Sequence, residues 1–162
     1  MFTFFIDRSE DKHLICRLCQ DVLGPGRFVR TAYRIRESSR EVNKFYITAW
    51  HDTMLAGAVA FTSIAIGGEK GVFLLGPLVV APHFKGKSCG MQLMQKGLRE
   101  VLERDGRLVL LVGDLSYYSR AGFHPVPLEQ IALPGPFDLH RLLAFECEDG
   151  ALQSYHGLVR AL

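Results

Sequence analysis

Apolar and polar positions along this chain follow two periods, one near two residues and one near four. Phe2–Ile6 reads as a short strand. Leu14, Ile15, Leu18 and Val22 then recur at helical spacing, with Ser9 placed to cap that helix and Gly24-Pro25-Gly26 to stop it. The pattern predicts a second short helix over Phe28–Arg36 and a charged link from Glu37 to Lys44. Phe45–His51 and Met54–Ile66 read as strands joined at Asp52-Thr53. Gly67-Gly68 turns the chain into a third strand, Val72–Val80, which makes an antiparallel meander. A long helix from Cys89 to Arg104 puts Leu93, Met94, Gly97, Leu98, Val101 and Leu102 on one face. Leu108–Val112 is apolar throughout, as expected of a strand in the centre of a sheet. A short helix over Ser116–Ala121 and a strand over Arg141–Glu146 follow, and the tail from Gly150 takes no assignment.

Strand, turn, helix and strand in succession between Val72 and Val112 form a parallel crossover. The expected class is therefore α/β (α+β), a mixed central sheet flanked by helices. A length of 162 residues fits a single domain, 1–162, with a core large enough to need no staples.

Composition narrows the function classes. A net charge of +2 with scattered basic residues gives no electrostatic footprint for nucleic acid. The longest apolar runs are too short to span a bilayer. Cys16, Cys19, Cys89 and Cys147 are not spaced as a disulfide framework, and no secretory segment is read at the start, so the expectation is a cytoplasmic protein. His13, Cys16 and Cys19 lie at spacings of three, a pattern read as a packed helix face and not as a metal site.

The chemistry concentrates in the turn after Val80. Lys85, Gly86, Lys87, Ser88, Cys89 and Gly90 run straight into the long helix. Such a turn aims several backbone N–H groups at one spot, where the helix N-terminus adds positive potential, so it predicts a phosphate or diphosphate site. Two ligands compete for it. Residues 81–88 match the ATP-binding G-x-x-x-x-G-K-[ST] loop except at the first position, where Ala81 replaces glycine, and Pro82 removes a donor. The other ligand is coenzyme A.

The second reading rests on a resemblance. The strand ending Val80-Ala81-Pro82, the loop Lys85-Gly86-Lys87-Ser88-Cys89-Gly90, and Tyr118 four residues before Gly122-Phe123 resemble the GNAT superfamily of N-acetyltransferases. Gly24-Pro25-Gly26-Arg27-Phe28, Leu75-Gly76-Pro77-Leu78, Gly113-Asp114 with Tyr117-Tyr118, and the endings Gly150-Ala151-Leu152 and Gly157-Leu158-Val159-Arg160 are similar to its YhbS-like bacterial branch. Two positions depart from the family pattern: Lys85 stands for Gln or Arg, and Ser88 for the central glycine. If position 88 requires φ > 0, its serine carries strain.

The resemblance implies acetyl-CoA as co-substrate, with no metal, and direct attack by an amine. Leu78, Val79 and Val80 would pair with pantetheine as an added strand does. Lys85, Gly86, Lys87, Ser88, Cys89, Gly90 and Met91 would hold the diphosphate. Tyr118 is the candidate for hydrogen bonding to the leaving sulfur, with Tyr117 as its packing partner. Asp114 would orient Tyr118, touch pantetheine or cap the following helix. Arg27 and Phe28 would line the acceptor cleft, where an arginine can hold a carboxylate or phosphate. Glu69, His83, His124 and water are all conceivable bases, and none is selected. Cys89, at a helix N-terminus, is open to a lowered pKa, but its place in the loop suggests a backbone role, and no cysteine is read as a nucleophile. The acceptor is a small-molecule or protein amine, and the protein is a monomer or homodimer. A CoA-binding module with little or no transfer activity is the alternative, followed by the ATP-binding reading.

Overall fold

The computed structural model describes residues 1–162. The strands are β1 (Thr3–Ile6), β2 (Lys44–His51), β3 (Met54–Ile66), β4 (Glu69–Val80), β5 (Leu108–Val112), β6 (His124–Pro125), β7 (Ile131–Ala132), β8 (Leu142–Glu146) and β9 (Gly157–Ala161). The helices are α1 (Lys12–Leu23), α2 (Thr31–Ser38), α3 (Cys89–Glu103) and α4 (Leu115–Tyr118). Sheet order is β1-β2-β3-β4-β5-β8-β6. Neighbours are antiparallel except β4 and β5, whose parallel pairing is made possible by the crossover through α3. β9 pairs antiparallel with the far end of β3, and β7 runs parallel to β9.

Both faces of the sheet are covered, which explains the near-continuous apolar sequence of β3 and β5. On one face Leu93, Met94, Leu98 and Val101 of α3 pack on Phe45, Val59, Phe61 and Val109. Phe45 and Phe61 stack with centroids 4.9 Å apart. Gly97 is a packing requirement: a Cβ there would run into the Phe61 ring. On the other face Ile15, Leu18 and Cys19 of α1 lie on Tyr46, Ala58, Ala60 and Val79. The small alanines of β3 let α1 approach, while Val59 and Phe61 fill the space beneath α3.

Several expectations need correction. Leu102 is 51% exposed and outside the α3 core face. Ser9 caps nothing: it begins a 3-10 turn, and α1 starts behind Asp11, whose carboxylate takes a 2.8 Å bond from Arg8 Nε. The segment expected as one helix over Phe28–Arg36 divides into a 3-10 turn at Pro25–Val29 and α2, with Arg30 extended between them. The unassigned tail supplies β9. β6 and β7, two residues each, are too short to leave a period in the sequence.

Candidate active site

β4 and β5 pair only over Val72–Leu74 and Leu108–Leu110, and then part. β4 continues to Val80 against β3 alone, and its other edge faces a split. Ala81 N–H donates to Ala56 O at 2.8 Å, on the β3 side. Strand alternation therefore turns the Val79 N–H toward β3 as well, and the Leu78 and Val80 N–H groups toward the split. Pro77, with no N–H, sits where the strands separate.

At the end of β4 the chain makes a 3-10 turn over Pro82–Phe84 and enters the loop. Ala81 is extended (φ −61°, ψ 143°), so the position that would need glycine in an ATP-binding loop holds ordinary strand backbone. Ser88 is left-handed (φ 64°, ψ 14°), and its side chain makes no capping bond to α3. This answers the question left by the sequence: position 88 does require φ > 0, and its serine is strained. From Gly86 to Met91, six successive backbone N–H groups donate to no group of the protein. Those of Cys89, Gly90 and Met91 are orphaned because an α-helix has no carbonyls ahead of its first turn; the loop adds the other three.

A cavity of about 260 Å³ opens over these donors. Val80, Lys85, Gly86, Ser88, Cys89, Gly90 and Met91 line it, together with Phe84, Tyr117 and Arg120. Arg120 lies 5.5 Å from the Tyr117 ring centroid. A Cβ on Gly90 would come within 2.7 Å of the Tyr117 hydroxyl, so glycine there lets the tyrosine approach the start of α3. Tyr117, expected only to pack, thus faces the loop cavity, and Arg120 supplies a cation that the sequence reading missed. Lys87 is exposed and lines neither this cavity nor the next. Val79 is buried on the α1 side. Cys89 is 1% exposed, and burial pushes its thiol up to about 11, opposite to the lowering open to a thiol at a helix start. It has the character of a core residue and not of a nucleophile.

A second cavity, about 340 Å³, lies in the split itself. Its walls come from Leu75–Leu78 of β4, Leu111 and Val112 of β5, Arg30–Tyr33 at the start of α2, and Pro136 and Phe137; Leu23, Tyr118 and Arg141 complete it. Arg27 and Phe28 are not among them. Arg27 donates to Gly24 O at 2.7 Å and lies over the Phe28 ring at 4.1 Å, while Phe28 meets Tyr33 edge-on at 5.7 Å. These two residues therefore buttress the wall from behind.

Tyr118 rests on Gly113, where a Cβ would crowd its ring, and packs edge-on against Tyr117 (4.9 Å) and Phe123 (5.9 Å). Burial pushes its phenol up to about 12, with Tyr117 and Asp114 adding to the rise and Arg141 opposing it. Asp114 lines neither cavity and makes no capping bond to α4; it accepts from Arg141 Nη2 at 3.1 Å. Glu69 and His83 are exposed, His124 is half-buried, and none of the three lines either cavity. His13 and Cys16 are exposed while Cys19 is buried, so they do not face one another as ligands.

A mixed sheet that splits beyond the parallel β4–β5 pair, with a donor-rich turn and helix at the end of the split, defines the GNAT acyl-CoA N-acyltransferase fold, and solved structures agree. The chain superposes on the crystal structure of YhbS, a GNAT family N-acetyltransferase from Escherichia coli in complex with CoA. That match has a TM-score of 0.84 and 22% identity, covering 99% of this chain and 89% of that one. A GNAT family acetyltransferase from Brucella melitensis in complex with acetyl-CoA matches with a TM-score of 0.71 and 24% identity, over 91% of this chain and 89% of that one. In sequence, the chain is 31% identical over 109 residues to the uncharacterized N-acetyltransferase YhbS of E. coli strain K12, over 64% of this chain and 62% of that protein. The match thus spans under two thirds of that relative's length. No family model matches the chain. The expected fold and the YhbS-like resemblance both stand. No helix is long and apolar enough to cross a membrane.

Proposed function

We propose that the protein is an acetyl-CoA-dependent N-acetyltransferase, with residues 1–162 acting as one catalytic unit. The observation that carries this reading is the run of partnerless N–H groups from Gly86 to Met91 at the mouth of a sheet split. Relatives named as CoA and acetyl-CoA complexes share this fold. In this reading the CoA diphosphate lies on those donors, with Lys85 and Arg120 beside it. Pantetheine runs into the split as an added strand along β4, where Leu78 and Val80 N–H groups face it. One of those N–H groups receives the thioester oxygen, which becomes an oxyanion in the transition state.

The acceptor amine enters through the 340 Å³ cavity and attacks the thioester carbonyl. A C–N bond forms, the tetrahedral intermediate collapses, and the C–S bond breaks. The sulfur leaves with the electron pair, and the proton released by the amine ends on the CoA thiol. Tyr118 lines this cavity and donates a hydrogen bond to the departing sulfur. Its phenol, near 12, lies about 3.5 pKa units above an ordinary thiol, so full proton transfer would cost about 5 kcal/mol. Hydrogen bonding without transfer avoids that cost. No Asp, Glu or His lines the cavity, so water carries the amine proton away. Four free thiols and this cofactor fit a reducing cytoplasmic compartment.

The test is calorimetric titration with CoA together with thiol release from acetyl-CoA across an amine panel. Saturable CoA uptake with amine-dependent release supports the enzyme. Uptake without release from any amine replaces it with a CoA-binding module. Binding of ATP with Mg²⁺ in place of CoA would overturn both.

A further inference from the structure

The charges of the acceptor cavity point to the kind of amine it admits, an inference that rests on the acetyltransferase reading. Its charged lining residues are Arg30 and Arg141, and no carboxylate joins them. Arg30 has no hydrogen-bond or ion-pair partner in the chain, so all its guanidinium donors are available. Arg141 gives one 3.1 Å contact to Asp114, an exposed pair of small energetic worth, and keeps its other donors. The rest of the lining is mostly apolar: Leu75, Leu78, Leu111 and Phe137 among others. Thr31 Oγ1 donates to Pro136 O, which fixes the start of α2 against the opposite wall and holds Arg30 at the rim. The surrounding chain has the same sign: residues 22–36 carry Arg27, Arg30, Arg34 and Arg36 and no acidic residue.

We infer that the acceptor is a small amine bearing a carboxylate or phosphate on an apolar body, its anion held by Arg30 and Arg141. Guanidinium groups match both anions with two parallel hydrogen bonds. The 340 Å³ cavity is at the low end for small-molecule sites, and the pantetheine arm takes part of it, so only a compact acceptor fits beside the thioester. The positive cavity also works against an ammonium ion and favours the neutral amine that attack requires. Polyamines and other polycations meet like charge and are excluded.

The experiment compares thiol release, and binding to the CoA-loaded protein, across matched amines: leucine against isoamylamine, phenylalanine against phenethylamine, O-phosphoethanolamine against ethanolamine, with spermidine as the polycation. The expected result is at least a ten-fold higher kcat/KM, or tighter binding, for the anionic member of a pair. Carboxylate or phosphate preference then follows from which pair shows it. Arg30→Glu should erase that advantage, mainly through a KM for the anionic member of each pair raised about 30-fold relative to its uncharged-body counterpart. Arg30→Gln, which keeps a polar side chain without inverting charge, should give an intermediate KM and an unshifted melting temperature. Equal use of both members, preference for spermidine, or CoA uptake with no anionic amine bound or turned over would overturn the inference while leaving the CoA site standing. Failure to take up CoA would instead remove the acetyltransferase reading on which it rests.

Discussion

Replacing Ser88 by glycine isolates the one residue of the loop that its backbone conformation disfavours. Ser88 holds φ 64° and ψ 14°, a left-handed position that costs an L-residue about 1–2 kcal/mol. Its side chain makes no hydrogen bond in return, and its carbonyl accepts from Gln92 N–H at 3.0 Å, a bond that glycine keeps. Glycine also loosens the unfolded chain, which costs about 0.4–1 kcal/mol. The difference leaves Ser88→Gly more stable by about 0.5–1 kcal/mol, or a rise of about 1–4 °C in melting temperature for a chain of this size. Because the donors around it keep their geometry, CoA affinity should hold or improve. Scanning calorimetry with and without CoA reads both quantities. Ser88→Ala is the control: it removes the hydroxyl and keeps the strain, so its melting temperature should stay near that of the native protein. If Ser88→Gly melts lower, or Ser88→Ala weakens CoA binding more than Ser88→Gly does, the hydroxyl matters more than the backbone and the reasoning is refuted.

Tyr118→Phe should lower kcat about 10–100-fold and leave the CoA Kd unchanged, since only the bond to the departing sulfur is lost; equal kcat would place the role elsewhere. With its phenol near 12, the proposed acetyl transfer should show no Tyr118-dependent loss of kcat below about pH 11. Alkali should destabilise the fold through Cys89: burial raises its pKa from 9.0 to about 11, so the folded state keeps a proton that the unfolded chain has released. That contribution is whole below pH 9 and is lost between about pH 9 and 11, of order 2 kcal/mol. Denaturant titrations across that range should show a shallower decline for Cys89→Ser. Gly97→Ala forces a methyl group into the Phe61 ring and should cost about 1–3 kcal/mol, measured by urea unfolding.

The parts of this fold that were legible in sequence are those with a long period or strong punctuation. β2, β3 and α3 fall within a residue of their expected bounds, because each repeats its pattern over eight or more positions. The loop was legible because glycines and lysines cluster ahead of an amphipathic helix. Two-residue strands such as β6 carry no period, and β9 depends on a partner far away in sequence, at the end of β3. Serine itself does not announce the left-handed turn at position 88; only the glycine that the GNAT pattern places there pointed to it. Arg27 and Phe28, expected in an acceptor cleft, do not line the cavity in the split; the extended backbone at Arg30 brings Arg30–Tyr33 to its wall instead. A signal was available in the four arginines without a carboxylate between positions 22 and 36. Arg120, Arg141 and Tyr117 join the two cavities only through tertiary packing, so no local spacing could have singled them out.

The central claim is that the N–H groups from Gly86 to Met91 receive the diphosphate of coenzyme A. Its most direct test is an amide-resolved NMR titration of the native protein, first with CoA and then with ATP and Mg²⁺. The account predicts saturable shifts at residues 86–91 with CoA, accompanied by Leu78 and Val80, and no competition from ATP. Amides at 86–91 that stay unmoved by CoA, or that answer to ATP alone, would contradict it.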